Sequence, residues 1–151
     1  MAGRFVLVDA DMLAGWRRPT PSFAQLMEAV GDLRAQEPAA RLAIVADPSL
    51  KWALAPGEQE EIEEHVRTGR LVYAPAGCAD GYRGFLSEVV AKAGARGLDP
   101  VVLTDQAITG ARVGRVRREG ERWVFDLEGV EVTAEARPAA GPRRRRPKSA
   151  A

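Results

Sequence analysis

The sequence predicts an α/β domain built on a central parallel β-sheet with helices on both faces. Short, fully apolar runs alternate with stretches in which apolar residues recur at helical spacing. The apolar runs lack the polar alternation of a half-exposed strand, so they predict strands that are buried on both faces. The resulting order β-α-β-α-β-α-β predicts a parallel sheet of about four strands.

Four apolar runs mark the predicted strands, and each leads into polar or turn-forming residues. The runs are Phe5–Val8, Leu42–Ala46, Leu71–Ala74 and Val101–Leu103. The first run ends at Asp9, the second at Asp47, and the fourth at Thr104 and Asp105. Polar groups begin where a buried strand leaves the core, so these residues mark the predicted ends of the strands.

Three helices are predicted between these strands. Ser22 and Gln25 have the spacing of a capping box at the start of the first helix. The second helix covers residues 58–68 and is closed by Gly69, with its carboxylates concentrated near the N-terminus, where the helix dipole favours them. The third helix follows the third strand, and Asp80 is its candidate N-cap.

The C-terminal third of the chain has a different pattern. Three short strands with glycine-containing turns are predicted, at Arg112–Arg118, Arg122–Leu127 and Val130–Thr133. We therefore expect an antiparallel β appendage at 111–135 on an α/β core at 3–110. Together they form one domain over residues 1–136, and the segment 137–151, rich in Pro, Ala, Gly and Arg, is expected to be a disordered basic tail.

Composition excludes several classes of protein. The chain of 151 residues has one cysteine and one histidine, which excludes an internal disulfide framework and a Cys- or His-based metal site. Its apolar runs are far shorter than the roughly 20 residues of a membrane span. No signal peptide is evident, so we expect a cytoplasmic protein with no membrane partner.

The net charge of +1 conceals two regions of opposite charge. The tail at 137–151 holds six of the 22 basic residues and none of the 21 acidic ones, which leaves 16 basic residues and a net charge of −5 on residues 1–136. A basic tail attracts polyanions regardless of their sequence.

The strand-end acids predict a metal site. Asp9, Asp11, Asp47 and Asp105 follow predicted parallel strands, and Asp80 begins the helix after the third strand. Ligands bind at this edge of open α/β sheets, and clustered carboxylates repel one another unless a cation is present. Oxygen ligands suit Mg²⁺ or Mn²⁺. Each acid also has a structural interpretation, as a turn former or, for Asp80, as a helix cap.

Four segments carry a resemblance to a known family. They read FVLVDAD, LAIVADPSLKW, RLVYAPAGCADGYRGFLSEVVAKAG and PVVLTDQ, and they span about residues 5–106. In this order they resemble the PIN-like nuclease superfamily, most closely its NYN branch with the Regnase-type ribonucleases. The resemblance implies a Rossmann-like PIN fold and a magnesium-dependent endoribonuclease, with Asp9, Asp80 and Asp105 as catalytic residues.

Two other functions stay open, the first because the chain departs from the family pattern and the second because of another resemblance. Met12 stands where the first motif usually has Asn, Asp80 lacks the usual adjacent acid, and residues 106–109 lack a further Asp. These departures are compatible with an inactive PIN-like module that binds RNA or protein. The pair Asp9 and Asp11 also resembles the first motif of haloacid-dehalogenase-like phosphatases, in which the first Asp is the nucleophile.

Basic and aromatic residues provide candidate RNA contacts. A basic residue next to a tryptophan can bind a phosphate while the ring stacks on a base. Arginines on one face of a strand or in a basic tail can bind the phosphate backbone. The candidates are Arg17, Arg18, Lys51, Trp52, Arg115, Arg117, Arg143, Arg144, Arg145 and Arg146. We therefore expect single-stranded RNA as the partner, and the family resemblance is also compatible with a homodimer.

Overall fold

A six-stranded, mostly parallel β-sheet forms the centre of the fold. The structure is a computed structural model that describes residues 4–132. The strands are β1 (Arg4–Asp9), β2 (Arg41–Ala46), β3 (Val72–Tyr73), β4 (Asp99–Leu103), β5 (Ala111–Glu119) and β6 (Arg122–Val132), in the spatial order β3-β2-β1-β4-β5-β6. Neighbouring strands from β3 to β5 pair in parallel, and β6 pairs antiparallel with β5.

Helices cover both faces of this sheet, as the sequence predicts. They are α1 (Ala10–Gly15), α2 (Phe23–Gln36), α3 (Leu50–Ala53), α4 (Pro56–Arg67) and α5 (Gly81–Ala95). Leu13, Leu26 and Ile62 pack in one hydrophobic cluster, while Leu86 and Val90 of α5 pack in a second one. None of the helices between residues 4 and 132 has the length and apolar character that a membrane span requires.

The predicted start of α2 is confirmed, although the capping box is only half formed. The Ser22 hydroxyl accepts a hydrogen bond from the Gln25 backbone N–H at 3.1 Å. The Gln25 amide does not complete the box. It donates instead to the carbonyls of Leu13 at 2.8 Å and Trp16 at 3.0 Å. This side chain therefore ties the end of α1 to the start of α2.

The C-terminal strands differ from the predicted three-stranded appendage. β5 pairs in parallel with β4, so it extends the central sheet and brings the number of mutually parallel strands to five. The second and third predicted strands form one continuous strand, β6. Gly129 of β6 has a φ of +49°. It lies opposite a register shift between Val113 and Arg115 of β5 rather than in a reversing turn. A glycine with positive φ suits a bulge as well as a turn, and the local sequence does not distinguish the two.

The strand register places the predicted acids at one edge. Val8 of β1 lies level with Ile44 of β2 and Leu103 of β4. Asp9, Asp47 and Asp105 follow within three residues of that level, at or just beyond the ends of these three adjacent strands. The predicted meeting of strand ends at the carboxyl edge of the sheet is therefore confirmed for these three residues.

Candidate functional site

Asp9 is the buried centre of the carboxyl edge. The residue is only 1% exposed. Its Oδ1 accepts hydrogen bonds from the Tyr82 hydroxyl at 2.8 Å and the Met12 N–H at 3.2 Å, and its Oδ2 accepts one from the Thr104 hydroxyl at 2.6 Å. Burial raises the pKa of Asp9, these bonds oppose the rise, and the charge of Asp105 adds to it.

Asp11 lies two residues after Asp9, and its pKa is strongly raised. Its carboxylate accepts a hydrogen bond from the Asp47 backbone N–H at 2.9 Å. Burial raises the pKa of Asp11 to about 7, and the charges of Asp9 and Asp47 contribute to the rise. The charge of Asp105 thus acts on Asp9, and the charges of Asp9 and Asp47 act on Asp11.

Asp80 does not join this group. Its Oδ2 accepts hydrogen bonds from Arg83 Nε at 2.9 Å and Nη2 at 2.8 Å. Asp80 occupies the N-cap position of α5, as predicted, with a φ of +65°, but its side chain makes no capping hydrogen bond there. The charges that raise the pKa values of Asp9 and Asp11 come from Asp105, Asp9 and Asp47 and not from Asp80. The Arg83 guanidinium thus holds this predicted catalytic acid in an ion pair.

Tyr82 supplies the contact between α5 and Asp9 instead. Its hydroxyl lies 2.8 Å from Asp9 Oδ1 and 3.0 Å from the Val45 carbonyl oxygen. Burial and the nearby carboxylates raise the pKa of Tyr82, so its phenol stays protonated as a donor. Sequence reasoning missed this residue, because a tyrosine in the first turn of a helix carries no signal for such a role.

An open groove of about 720 Å³ runs beside these carboxylates. Asp11, Thr104 and Asp105 line it from the ends of β1 and β4. The remaining lining comes from α1 and the residues after it, and from β5: Met12, Gly15, Trp16, Arg17, Val113, Gly114, Arg115 and Val116. The groove therefore combines two carboxylates, two arginines and an aromatic ring.

The donor chemistry of the groove fits a hard divalent cation, although the five-carboxylate site expected from the sequence does not form. Within residues 4–132, no group of three His, Cys, Asp or Glu side chains lies close enough together to hold a metal ion. Mg²⁺ in phosphoryl-transfer sites is usually bound by one or two carboxylates, with water and substrate phosphate completing its shell. Asp11 and Asp105 are the two carboxylates in the groove.

The predicted RNA contacts are divided between several surfaces. Arg17 and Arg115 line the groove. Lys51 and Trp52 lie on α3 above a separate hollow lined by glutamates of α4, with Lys51 Nζ 3.4 Å from Glu63.

The other predicted contacts lie outside the groove lining or outside the described residues. The Arg117 guanidinium pairs with Glu119 at 2.8 Å, and Arg18 donates to the Thr20 carbonyl at 3.0 Å. Arg143–Arg146 and the predicted disordered tail lie outside the residues that the structure describes.

No protein-family model matches the chain, and no curated protein or solved structure matches it significantly. Membership in the PIN-like nuclease superfamily therefore stays a prediction from the sequence motifs.

Proposed function

We propose that this chain is a metal-dependent endoribonuclease of the PIN-like superfamily that hydrolyses RNA phosphodiester bonds in the groove. The observation that carries the proposal is the presence of Asp11, Asp105, Arg17 and Arg115 in one cleft at the carboxyl edge of the sheet. Arginines bind phosphate in a fork geometry, whereas carboxylates repel it unless a cation lies between them. A phosphodiester and a divalent cation together satisfy both groups.

Each side chain has a distinct role in this proposal. Arg17 and Arg115 bind the phosphate backbone and orient it across the groove. Asp11 and Asp105 hold Mg²⁺ or Mn²⁺, which when bound neutralises the phosphate and lowers the pKa of a water molecule. Asp9 does not line the groove, and it acts as a positioning residue by accepting hydrogen bonds from Thr104 and Tyr82 next to the two groove acids.

A cleavage assay tests the proposal. Labelled single-stranded RNA is incubated with the full chain in Mg²⁺, in Mn²⁺ and in EDTA. We expect cleavage only with a metal ion, and a loss of about 100-fold or more in Asp105→Asn, since lesser changes around metal ligands already cost 10- to 100-fold. Asp99→Asn is the matched control, because Asp99 is an exposed acid that pairs with Arg4 at the other end of β4. Cleavage in EDTA, or full activity in Asp105→Asn, would contradict the proposal.

A non-catalytic RNA-binding module is the second candidate, and two observations favour it. Asp80 is held by Arg83, and both oxygens of Asp9 already accept hydrogen bonds within the protein. RNA binding without cleavage in either metal ion would select this candidate. The phosphatase alternative gains no support, because a nucleophilic Asp9 needs an accessible oxygen and this residue is 1% exposed.

A further inference from the structure

Trp16 belongs to a row of four side chains in contact, which reaches from the β5–β6 hairpin to the groove. The Arg118 guanidinium carbon lies 4.5 Å from the centre of the Trp123 ring. The Trp123 and Trp16 rings follow, with their centres 5.1 Å apart. The Arg17 guanidinium carbon lies 4.3 Å from the centre of the Trp16 ring and ends the row. Trp16 and Arg17 also line the groove, whereas Trp123 is buried.

Trp16 is tethered at its backbone and packed at its ring. The Gln25 amide fixes the Trp16 carbonyl at 3.0 Å, and the buried Trp123 ring packs against the indole. An aromatic ring that is already in place loses little conformational entropy when a ligand binds to it.

Arg17 covers Trp16 from an unusual backbone conformation. Its φ is +57°, in the left-handed region that long side chains rarely adopt. Its side chain is exposed, so the contact with Trp16 can be exchanged for another partner. An exposed cation–π contact strengthens the association of its two partners about 2- to 5-fold. Stacking of a base on an aromatic ring strengthens binding of the base about 5- to 100-fold. Stacking of a nucleobase is therefore the more favourable of the two contacts for this ring.

We propose that Trp16 is the stacking platform for one unpaired nucleobase of a single-stranded RNA, and that Arg17 moves from the ring to a backbone phosphate when the base enters. The inference rests on the proposed function in that RNA occupies the groove. It gives a structural reason for the single-stranded RNA expected from the sequence, because the faces of paired bases are covered by their neighbours in a duplex. Stacking is sequence-tolerant, so this platform selects unpaired bases rather than one particular base.

The test compares three RNA probes by fluorescence anisotropy. The first is a short labelled single strand, the second is the same strand with abasic sites, and the third is its duplex. All measurements use the full chain with Asp105→Asn, so that the RNA stays intact. We expect the single strand to bind about 5- to 100-fold more tightly than the abasic strand, and Trp16→Leu to remove this difference. Trp16→Phe keeps a ring and is expected to retain most of it.

Two controls separate the platform from folding and from phosphate binding. Trp52→Leu removes a tryptophan that is 71% exposed outside the groove lining, and it is expected to leave the preference over the abasic strand unchanged, whatever its effect on overall affinity. Arg17→Asn suits the positive φ at this position. We expect it to lower the salt dependence of binding by about 0.7 in log Kd per log unit of salt, with the preference over the abasic strand retained.

The outcomes distinguish the platform from the nuclease. Equal binding of the intact and abasic strands, or an unchanged preference in a folded Trp16→Leu protein, overturns the platform. Metal-dependent cleavage by the unmodified chain supports the nuclease whatever the binding result. A Trp16-dependent preference without cleavage supports the platform and overturns the nuclease, and no RNA binding by any variant overturns both.

Discussion

At the scale of single residues, Asp9 shows why a strand-end acid can be essential to the site without lining the groove. A buried carboxylate is strongly unfavourable unless hydrogen-bond donors replace the water that it loses. Met12, Tyr82 and Thr104 supply three such donors from α1, α5 and the end of β4. The same bonds join these elements, so the structural and functional interpretations of Asp9 are compatible.

Removing one of these donors is expected to destabilise the protein. Thr104→Val keeps the size of the side chain but leaves Asp9 Oδ2 without its 2.6 Å partner, at a cost of about 1–3 kcal/mol in the free energy of unfolding. Urea denaturation at pH 7 measures this loss. Thr20→Val is the control, because Thr20 is an exposed loop residue and its replacement is expected to change stability by less than about 0.5 kcal/mol. Equal stability of Thr104→Val and the parent chain would contradict the proposed role of this bond.

The raised pKa of Asp11 predicts a pH dependence of stability. Because its pKa rises from 3.8 to about 7 on folding, the folded state binds the proton more tightly, and this group makes stability fall as pH rises from about 4 to 7. Asp11→Asn keeps an acceptor for the Asp47 N–H and removes the charge. We expect it to be more stable than the parent chain by about 1–2 kcal/mol above pH 7, a range that allows for solvent screening.

Denaturation at several pH values in EDTA measures this difference. The two proteins are expected to converge toward pH 4, where Asp11 is protonated in the folded state. Asp99→Asn serves as the control, since Asp99 is exposed and pairs with Arg4. Parallel pH profiles for the parent chain and Asp11→Asn would rule out a buried, ionised Asp11.

At the scale of elements, the β5–β6 hairpin completes the groove. Gly114 lines the groove, and β6 bulges opposite it, because Val113 pairs with Val130 whereas Arg115 pairs with Asp126. A Cβ on Gly129 would lie 2.2 Å from the Val113 carbonyl oxygen. The bulge therefore requires glycine at this position, and a bulge bends and twists the strand that carries it.

Two alanine substitutions test the bulge. Gly129→Ala introduces a side chain at a φ of +49° against backbone atoms, and we expect a loss of about 2–4 kcal/mol in the free energy of unfolding. Gly120→Ala, in the hairpin turn, has a φ of +66° but nothing within 4 Å of the added Cβ, so a loss of about 1 kcal/mol is expected. Thermal and urea denaturation compare the two. Equal losses would show that conformational strain alone, without the close approach to Val113, determines the need for glycine.

At the scale of the whole molecule, opposite charges are divided between the domain and the tail. Residues 1–136 carry 16 basic and 21 acidic residues, a net charge of −5, and the tail at 137–151 carries six basic residues. An acidic domain approaches RNA poorly by itself, so the tail is expected to supply much of the sequence-independent attraction.

Changing all four residues Arg143–Arg146 to Gln within the full chain tests this division. We expect weaker RNA binding and a slope of log Kd against log salt that is smaller by about 3, since each phosphate contact on a single strand contributes about 0.7. The site of cleavage is expected to stay the same, because the groove determines it. Arg41→Gln with Arg96→Gln is the control, as both residues line a hollow that is separate from the groove. A salt slope that does not change in the tail variant would contradict the role of the tail.

The sequence by itself determined the features that depend on neighbouring residues. The buried strands, the Ser22 cap and the position of Asp9, Asp47 and Asp105 at strand ends follow from hydrophobic periodicity, from capping chemistry and from the common direction of parallel strands. The tertiary structure alone decided the partners of these groups. Asp80 pairs with Arg83, Tyr82 reaches Asp9, β5 joins the central sheet, and Trp16 packs against Trp123. Each of these depends on backbone conformation or on contacts between segments distant in the chain, and local sequence patterns do not specify either.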